Sequence, residues 1–442
     1  MTFYEIHSIH RPQFWAILRP PRRAVRLAAA LSFATGLCWA VAQAAPDEDI
    51  LGKREGYPVA GVGAGKNRDW YFDERVRVGS FTHQAEIAGL FHGGVNELKA
   101  SPRPLALTRA SVEPAYRWGA DRNLTVDDFL ARERIMGLLI VKDGVIQVER
   151  YQYERKPSDR FTSHSMAKSI TSLAVGIAVG EGKIASLDDR ADKYATKLAG
   201  SVLGETSIRN LLRMAVGAKY RQGYNQGEGD TARFWPVVER NGIEEALASF
   251  ITERERPQGE RFEYVTPATL ALAAVVRGAT RMSLSEYLSP RLWQAIGAED
   301  SATWRTDRTG LEVANGNFNA TLRDFARLGI VLANDGVRPD DPAKRAIVPH
   351  EYLLEATDAK RVPAPFKPGA TSYLGYGYQF WLYPGKRRRF VMIGVFGQSI
   401  FVDPDIKLVI VQTAANRTPE AGDSSLGRAR ESFWRGILHY YD

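Results

Sequence analysis

Residues 161–176 read Phe-Thr-Ser-His-Ser-Met-Ala-Lys-Ser-Ile-Thr-Ser-Leu-Ala-Val-Gly, a pattern typical of the start of an apolar helix. Ser165 stands three residues before Lys168, and residues three apart on a helix lie on one face. The apolar residues that follow would bury the Lys168 amine, and burial disfavours its ammonium form. A neutral amine beside a serine hydroxyl can activate that hydroxyl as a nucleophile. The spacing therefore predicts Ser165 as a nucleophile and Lys168 as its base.

The same helix start predicts half of an anion site. Backbone N–H groups at a helix N-terminus are free to donate, and the helix dipole favours negative charge there. The alternative for any single Ser-x-x-Lys is an N-capping serine followed by a solvated lysine. No second Ser-x-x-Lys occurs in the sequence, so the interpretation depends on partners elsewhere.

A tyrosine is the first candidate partner. Tyr264 lies in the stretch Arg-Phe-Glu-Tyr-Val-Thr-Pro at 261–267, where Pro267 occupies a favoured first position of a helix. A tyrosine at that point can share a proton with Lys168 and with a leaving group. The alternative is a buried tyrosine whose hydroxyl is satisfied by its neighbours.

A glycine-containing strand supplies the second candidate partner. Residues 394–404 read Gly-Val-Phe-Gly-Gln-Ser-Ile-Phe-Val-Asp-Pro. Glycines in a strand let the backbone approach a ligand closely, and the N–H of Ser399 would pair with that of Ser165 around an oxyanion. The alternative is a bulge between two core strands.

Histidine offers no motif for a base, because neither His-Glu-x-x-His nor Gly-x-Ser-x-Gly occurs.

The order of the predicted elements indicates an α/β fold. A β-hairpin that turns at Asp143-Gly144 precedes the Ser165 helix, and the last third of the chain returns to strands. We therefore predict an antiparallel sheet formed by N- and C-terminal strands and flanked by helices, with a mainly helical insertion at about 186–360. The predicted helices are 207–214, 243–251, 267–278, 284–296, 322–334 and 426–440, and the predicted later strands are 377–383, 390–396, 399–403 and 408–413.

The N-terminus is typical of an export signal. Arginines up to Arg26 precede an apolar stretch at 27–41, and Ala42-Gln-Ala44 is a small-x-small cleavage site. We predict a signal peptide at 1–44, a periplasmic or secreted protein and no stable membrane span after cleavage, the alternative being an uncut anchor. Residues 45–120 are predicted to wrap, as an extension, a hydrolase domain at 121–442.

Cysteine and charge exclude several classes of function. Cys38 is the single cysteine, so the chain after residue 44 has no disulfide, thiol nucleophile or thiolate metal site. The net charge of +8 includes +4 from residues 1–44, and the mild remainder of +4 does not indicate nucleic-acid binding.

The basic run 386–389 follows Pro384-Gly385, which predicts a solvated hairpin tip; the alternative is a contact with an anionic surface.

As an ordered set, Ser165-Met-Ala-Lys168, Tyr264 and Gly397-Gln-Ser399 resemble the serine β-lactamase and penicillin-binding superfamily. Within that superfamily, the motifs resemble the branch that contains class C β-lactamases, family VIII esterases and 6-aminohexanoate-dimer (nylon-oligomer) hydrolases. The sequence is most similar to the last group, and the similarity spans about residues 120–440. Further stretches that carry it are 137–144, 215–224, 320–329 and 375–381.

The resemblance implies an acyl-enzyme mechanism without a metal or an organic cofactor. Ser165 would be acylated, Lys168 would be the base, and Tyr264 would relay a proton to the leaving group. The N–H groups of Ser165 and Ser399 would form the oxyanion hole. Three further residues would contact the substrate: Tyr224, where the nylon-oligomer hydrolases carry a mobile tyrosine, Asn317 and Gln398.

Two departures from the family pattern bear on the substrate. Val265-Thr266 stands where many relatives carry x-Asn, so the hydrogen-bonding side chain is shorter. Gly397-Gln-Ser399 stands where penicillin-recognising members carry Lys-Thr-Gly, so a cation for the drug carboxylate is missing. The resemblance thus implies a small-molecule amide or ester as substrate rather than a penicillin. The alternatives are a carboxylesterase, a D-amino-acid amidase or peptidase, or a catalytically silent protein that binds peptides or cell-wall fragments.

Overall fold

A computed structural model describes residues 48–61, 69–87, 89–120, 122–371, 373–419 and 425–442. The predicted signal peptide at 1–44, with Cys38, lies outside the described residues. Within the described ranges, no helix combines the length and the apolar character needed to cross a membrane.

The strands of the described residues form two sheets. The strands are β1 (Val95–Leu98), β2 (Thr108–Arg109), β3 (Ile135–Lys142), β4 (Val145–Tyr151), β5 (Arg160–Thr162), β6 (Ala302–Arg305), β7 (Phe318–Thr321), β8 (Gly375–Tyr376), β9 (Trp381–Leu382), β10 (Phe390–Gly394), β11 (Gln398–Asp403) and β12 (Leu408–Ala414). The main sheet has the order β2-β4-β3-β12-β11-β10-β9-β8, and its neighbours are antiparallel except for β2 and β4. The smaller antiparallel sheet has the order β1-β6-β7-β5.

Helices cover both faces of the main sheet. The helices are α1 (Asp69–Phe72), α2 (Glu74–Thr82), α3 (Val126–Arg132), α4 (Met166–Gly180), α5 (Ile208–Leu212), α6 (Gly229–Asn241), α7 (Ile243–Phe250), α8 (Thr266–Thr280), α9 (Leu284–Leu288), α10 (Leu322–Ala333), α11 (His350–Thr357) and α12 (Ser425–Tyr441). On one face, Phe129 of α3 stacks on Phe433 of α12 at a ring distance of 4.1 Å. On the other face, α4 and α10 pack against the C-terminal strands.

The predicted hairpin forms as the sequence indicates. Asp143 and Gly144 both have positive φ angles, 52° and 78°, which a tight two-residue hairpin turn requires. Along β3, Leu138 and Ile140 face the α3–α12 layer, and Leu139 and Val141 face the α4–α10 layer. Because both faces are covered, the strand reads as a continuous apolar run rather than an alternating one.

The predicted α/β fold class is confirmed, with a difference inside the insertion. Residues 302–305 and 318–321 form β6 and β7, which pair with β1 and β5 to build the smaller sheet. These strands are four residues long and buried throughout, so they carry no alternation that a sequence pattern could reveal. The division of the chain at residues 44 and 120 stays a prediction.

Three predicted elements end earlier or break. The predicted helix 284–296 ends at Leu288 and continues as a wider π-type turn over Ser289–Trp293. Pro290 lies in that turn and has no N–H for a regular helical hydrogen bond. The predicted strand 390–396 ends at Gly394, and 377–383 contributes only the short β9.

The basic run forms the connection between β9 and β10, as predicted, but its three arginines are less solvated than expected. Arg387 and Arg389 donate to the buried Asp403 carboxylate at 3.2 and 2.7 Å. Arg388 pairs with Asp335. These arginines therefore fasten the tip to the protein, which disfavours the alternative of an anionic-surface contact.

Gly329 tests how tightly α10 sits on the main sheet. A Cβ atom there would lie 2.4 Å from Val409 Cγ1 of β12. Alanine normally favours a helix over glycine by ~1 kcal/mol, but overpacking a core costs about 1–3 kcal/mol. We expect Gly329→Ala to lower the free energy of unfolding, measured by urea denaturation. The double variant with Val409→Ala should lose less than the two single losses together, and simple additivity would contradict the contact.

Candidate active site

Ser165 and Lys168 lie together at the N-terminus of α4. Lys168 Nζ donates hydrogen bonds to Ser165 Oγ and to the Asn315 carbonyl oxygen, both at 2.9 Å. Ser165 makes no capping hydrogen bond with its side chain, and Lys168 is only 2% exposed. The alternative of a capping serine followed by a solvated lysine therefore does not describe this turn.

Burial sets the protonation of the Lys168 amine. Desolvation lowers its pKa from the ordinary 10.5 to about 7, and its hydrogen bonds go to the Ser165 hydroxyl and the Asn315 carbonyl oxygen rather than to a carboxylate. A carbonyl oxygen such as that of Asn315 orients the amine without adding a full negative charge that would hold its proton. A substantial fraction of the lysine is therefore neutral near pH 7.

His164 is adjacent to Ser165 but belongs to an aromatic cluster. Its ring stacks on Trp70 at 5.8 Å and meets Phe81 edge-on at 4.5 Å. Burial, with the nearby charges of Arg77 and Lys168, lowers the pKa of His164 to about 3. The ring is therefore neutral at ordinary pH and is a poor proton acceptor.

Tyr264 lies on the other side of the lysine, two residues before α8. Its ring centre is 5.1 Å from Lys168 Nζ, and it stacks on Trp381 at 6.0 Å. Burial raises the pKa of Tyr264 well above its usual range, while a hydrogen bond with the Ser165 side chain acts in the opposite direction. The structure thus brings the three predicted catalytic residues together, with a protonated tyrosine beside the serine.

A cavity of about 420 Å³ opens above Ser165. Its lining comes from α1, from residues 90–91, from the 222–228 loop and from α6, and Phe91 meets Trp235 of α6 at a ring distance of 5.2 Å. The lining includes Trp70, Tyr71, Phe72, Leu90, Phe91, His164, Ser165, Lys168, Gln222, Tyr224, Glu228, Trp235, Glu239, Thr266, Asn315, Asn317 and Val395. Sequence patterns missed α6 and the aromatic wall, because α6 buries only Phe234 and Val238 and α1 is four residues long, so neither shows a sustained apolar period.

Two of the three predicted substrate-contacting residues line this cavity. Tyr224 is half-buried in the 222–228 loop, where its backbone N–H donates to Glu228 Oε2 at 3.2 Å. Asn317 is buried with φ 61°, and its side-chain oxygen accepts a hydrogen bond from Gln84 at 2.7 Å. Thr266, the shorter residue in place of asparagine, also lines the cavity at the first turn of α8.

The structure does not bring Gln398 and Ser399 to the cavity, which corrects their predicted placement. Ser399 is fully buried within the sheet, opposite Ile393 of β10 and Gln412 of β12. The Gln398 amide is also buried and exchanges two hydrogen bonds with the Ala414 backbone. The predicted strand 390–396 stops early, and the chain reaches the cavity at the turn that precedes these residues.

The turn Val395–Gly397, rather than Ser399, brings the chain to the cavity. Val395 lines the cavity, and Gly394 lies so near the serine segment that a Cβ atom would be 2.4 Å from the Ser163 carbonyl oxygen. Gly397 has φ 94°, a conformation that favours glycine. The two glycines were the available signal, since they bracket the turn in the sequence.

Comparison with known proteins agrees with the resemblance found in the sequence. The β-lactamase family model matches residues 123–432. The chain is 28% identical over 291 residues to a 6-aminohexanoate-dimer hydrolase of Paenarthrobacter ureafaciens, covering 64% of this chain and 73% of that protein.

Solved structures show the same architecture. A candidate 6-aminohexanoate-dimer hydrolase from Bacillus anthracis superposes with a TM-score of 0.72 and 25% identity, covering 86% of this chain and 98% of that one. A family VIII carboxylesterase shares the fold with a TM-score of 0.52 and 16% identity, covering 70% and 96%. Because the family model spans more than half of the sequence, this protein belongs to the β-lactamase family and is a serine hydrolase.

Proposed function

We propose that this protein hydrolyses an amide bond of the 6-aminohexanoate-oligomer type through an acyl-enzyme formed on Ser165. The observation that carries the proposal is the buried Lys168 amine, 2.9 Å from Ser165 Oγ and with a pKa lowered to about 7 by burial. A base with a pKa near the working pH is the most useful one for proton transfer.

The proposed acylation uses the three residues in sequence. Lys168 accepts the hydroxyl proton as Ser165 Oγ bonds to the amide carbonyl carbon, and negative charge develops on the carbonyl oxygen. The carbon–nitrogen bond then breaks, and the nitrogen leaves as an amine after receiving that proton through Tyr264. In deacylation, water adds to the ester carbonyl and gives a proton to Lys168. The ester bond breaks, Ser165 Oγ regains the proton, and a carboxylic acid leaves.

In this proposal the backbone amides of Ser165 and Val395 hold the oxyanion. The three amides after Ser165 already donate to carbonyl oxygens within the turn that starts α4. The Ser165 amide is therefore the donor that this turn offers to a substrate oxygen. Val395 replaces Ser399 as the second donor, because its turn lines the cavity beside the serine. Two preorganised donors stabilise the tetrahedral intermediate more than the planar amide.

The cavity supports a linear amide that carries no carboxylate near the scissile bond. Among the described residues that line it, Lys168 is the only lysine or arginine, while Glu228 and Glu239 are acidic. A lining of this charge disfavours an anionic substrate and favours an amine-bearing one. The aromatic wall of α1 suits a methylene chain, in agreement with the name of the Paenarthrobacter relative.

A carboxylesterase is the second candidate. It would use the same acyl-enzyme, and the fold is shared with a family VIII carboxylesterase. Thr266 favours it, because a threonine reaches less far than asparagine toward a substrate amide, and an ester has no N–H to bind. A D-amino-acid amidase or peptidase is distinguished from both only by its substrate. A silent binding protein would leave the Ser165–Lys168 hydrogen bond without use.

We also propose that the protein works in the periplasm or outside the cell. The support is the arginine-rich start, the apolar stretch 27–41 and the cleavage pattern at 42–44. N-terminal sequencing of the protein recovered from a periplasmic fraction should begin at Ala45. Recovery of the uncleaved chain with the membranes would contradict this proposal.

A fluorophosphonate probe tests the nucleophile directly. We expect intact-mass spectrometry of the chain from Ala45 to show one adduct, which Ser165→Ala abolishes and Ser249→Ala retains. Ser249 is a matched control because it is an exposed serine on α7, outside the cavity. Absence of labelling on folded protein would favour the silent binding protein. If labelling occurs, turnover of 6-aminohexanoate dimer, p-nitrophenyl esters and D-amino-acid amides ranks the substrate classes.

The pH dependence of kcat/KM should follow Lys168. The neutral amine is the active form, so activity rises with pH through about 7 and then levels off. His164 cannot produce this limb, because its pKa is lowered to about 3. Lys168→Arg should be inactive at every pH, since guanidinium keeps its proton. A flat profile between pH 5.5 and 8.5 for the wild-type protein would rule out the lysine as base.

The burial of Lys168 should also lower the free energy of unfolding of the protein. Its pKa of about 7 in the folded protein lies below the ordinary 10.5, so its burial penalty is full below pH 7 and fades as pH rises toward 10.5. Lys168→Met should therefore gain more stability over wild type at pH 6 than at pH 9, by on the order of 1 kcal/mol or more. The measurement is chemical denaturation at both pH values. An equal stability difference at the two pH values would show that the pKa of Lys168 is not lowered in the folded protein.

A further inference from the structure

The Val395–Gly397 turn holds a strained residue at its centre. Phe396 has φ 60° and ψ 20°, a left-handed conformation that is unfavourable for a residue with a bulky side chain. Its N–H donates to the Pro419 carbonyl oxygen, and its carbonyl oxygen accepts from the Asn416 N–H, both at 3.2 Å. Strain of this kind persists only where the surroundings determine the conformation. The turn therefore depends on the segment that follows β12.

Arg77 of α2 is bonded to that same segment. Its Nη1 donates to the carbonyl oxygens of Asn416 and Arg417, at 2.6 and 3.3 Å. Its guanidinium carbon lies 4.3 Å from the centre of the Phe396 ring, a cation–π contact. One side chain thus contacts the strained residue and the backbone to which that residue is bonded.

The other half of the Arg77 guanidinium reaches the cavity wall. Its Nη2 donates to the carbonyl oxygens of Tyr71 and Phe72, at 3.4 and 3.1 Å. Both of these residues line the cavity from α1. Arginine can donate hydrogen bonds to two pairs of acceptors in this way because its guanidinium group carries N–H donors on both arms of a planar fork.

Arg77 is a buried cation held by carbonyl dipoles. It is 2% exposed, and none of the ion pairs among the described residues includes it. Burial lowers the pKa of Arg77 to about 10, which still leaves it charged at neutral pH. A charge buried in this way is costly unless it is hydrogen-bonded, and the four carbonyl contacts made by Nη1 and Nη2, with Nε left unpaired, are what hold it in place.

We propose that Arg77 is a positioning residue for the oxyanion hole, which holds Phe396 in its left-handed conformation and thereby keeps the Val395 amide directed at the substrate. This inference rests on the proposed function and deepens it. Oxyanion donors act only when they are held in place before the charge develops. By bonding the α1 wall as well, Arg77 fixes that donor and the aromatic wall relative to each other.

The test compares Arg77→Met with Arg75→Met. Arg75 lies on the same helix but is exposed and paired with Glu55, so it is a matched control. Arg77→Met should lower kcat and the rate of fluorophosphonate labelling by on the order of tenfold or more, as expected for a displaced oxyanion donor. KM should change little, and Arg75→Met should match wild type in all three quantities.

Arg77→Lys gives a graded test, because an ammonium group can reach one pair of carbonyl oxygens but not both. We expect it to fall between wild type and Arg77→Met, and it carries the kinetic test if Arg77→Met does not fold. A folded Arg77→Met protein with unchanged kcat and labelling rate would overturn the proposal, and so would a change confined to KM.

A crystal structure of the variant separates this proposal from the catalytic one. Phe396 should leave the left-handed region and Val395 should shift away from Ser165 in Arg77→Met or, failing that, Arg77→Lys. An unchanged turn would refute the positioning role. If wild type is not labelled at all, the proposed function fails, yet the crystal structure still decides whether Arg77 holds the turn.

Discussion

The arrangement of this site depends on the burial of the Lys168 amine, which is shielded from water. The amine lies in the first turn of an apolar helix, between the Ser165 hydroxyl and the Asn315 carbonyl oxygen. Each neighbour can bind an uncharged amine, and none of the described ones is a carboxylate paired with it. Burial without a counter-charge is costly to the fold, but it brings the pKa of the lysine to about 7. The same desolvation that weakens the protein thus leaves this amine able to accept a proton near neutral pH.

The two sheets hold the groups that surround this amine. Helix α4 packs on the main sheet, so its N-terminus meets the end of β10, where the chain turns toward the cavity. Asn315 lies in the loop before β7, and β7 pairs with β5, which leads into Ser165. The smaller sheet therefore fixes the carbonyl oxygen of Asn315 against the strand that precedes Ser165. Packing of α10 on β12 then joins this sheet to the main one.

The segment before residue 123 lies outside the family match, yet it forms one wall of the cavity. Helix α1 supplies aromatic side chains, and α2 supplies Arg77, which joins that wall to the end of β12. β1 pairs with β6, and the buried Arg305 donates to the Gln84 carbonyl oxygen. The part of the chain within the family match thus carries Ser165 and Lys168, while residues outside that match shape the space above them.

The sequence by itself determined the hairpin, the Ser165 helix, the order of strands and helices and the family. These features are local, because apolar periodicity, an Asp-Gly turn and a Ser-x-x-Lys spacing each lie within one short stretch. Tertiary structure alone decided that Asn315 orients the lysine, that Val395 rather than Ser399 faces the cavity, and that Gln398 is a buried partner of Ala414. The physical reason is that a strand pattern does not show where the strand stops. The left-handed Phe396 sets that point, and it is held by contacts with Arg77 and Asn416, which lie 339 residues apart in the chain.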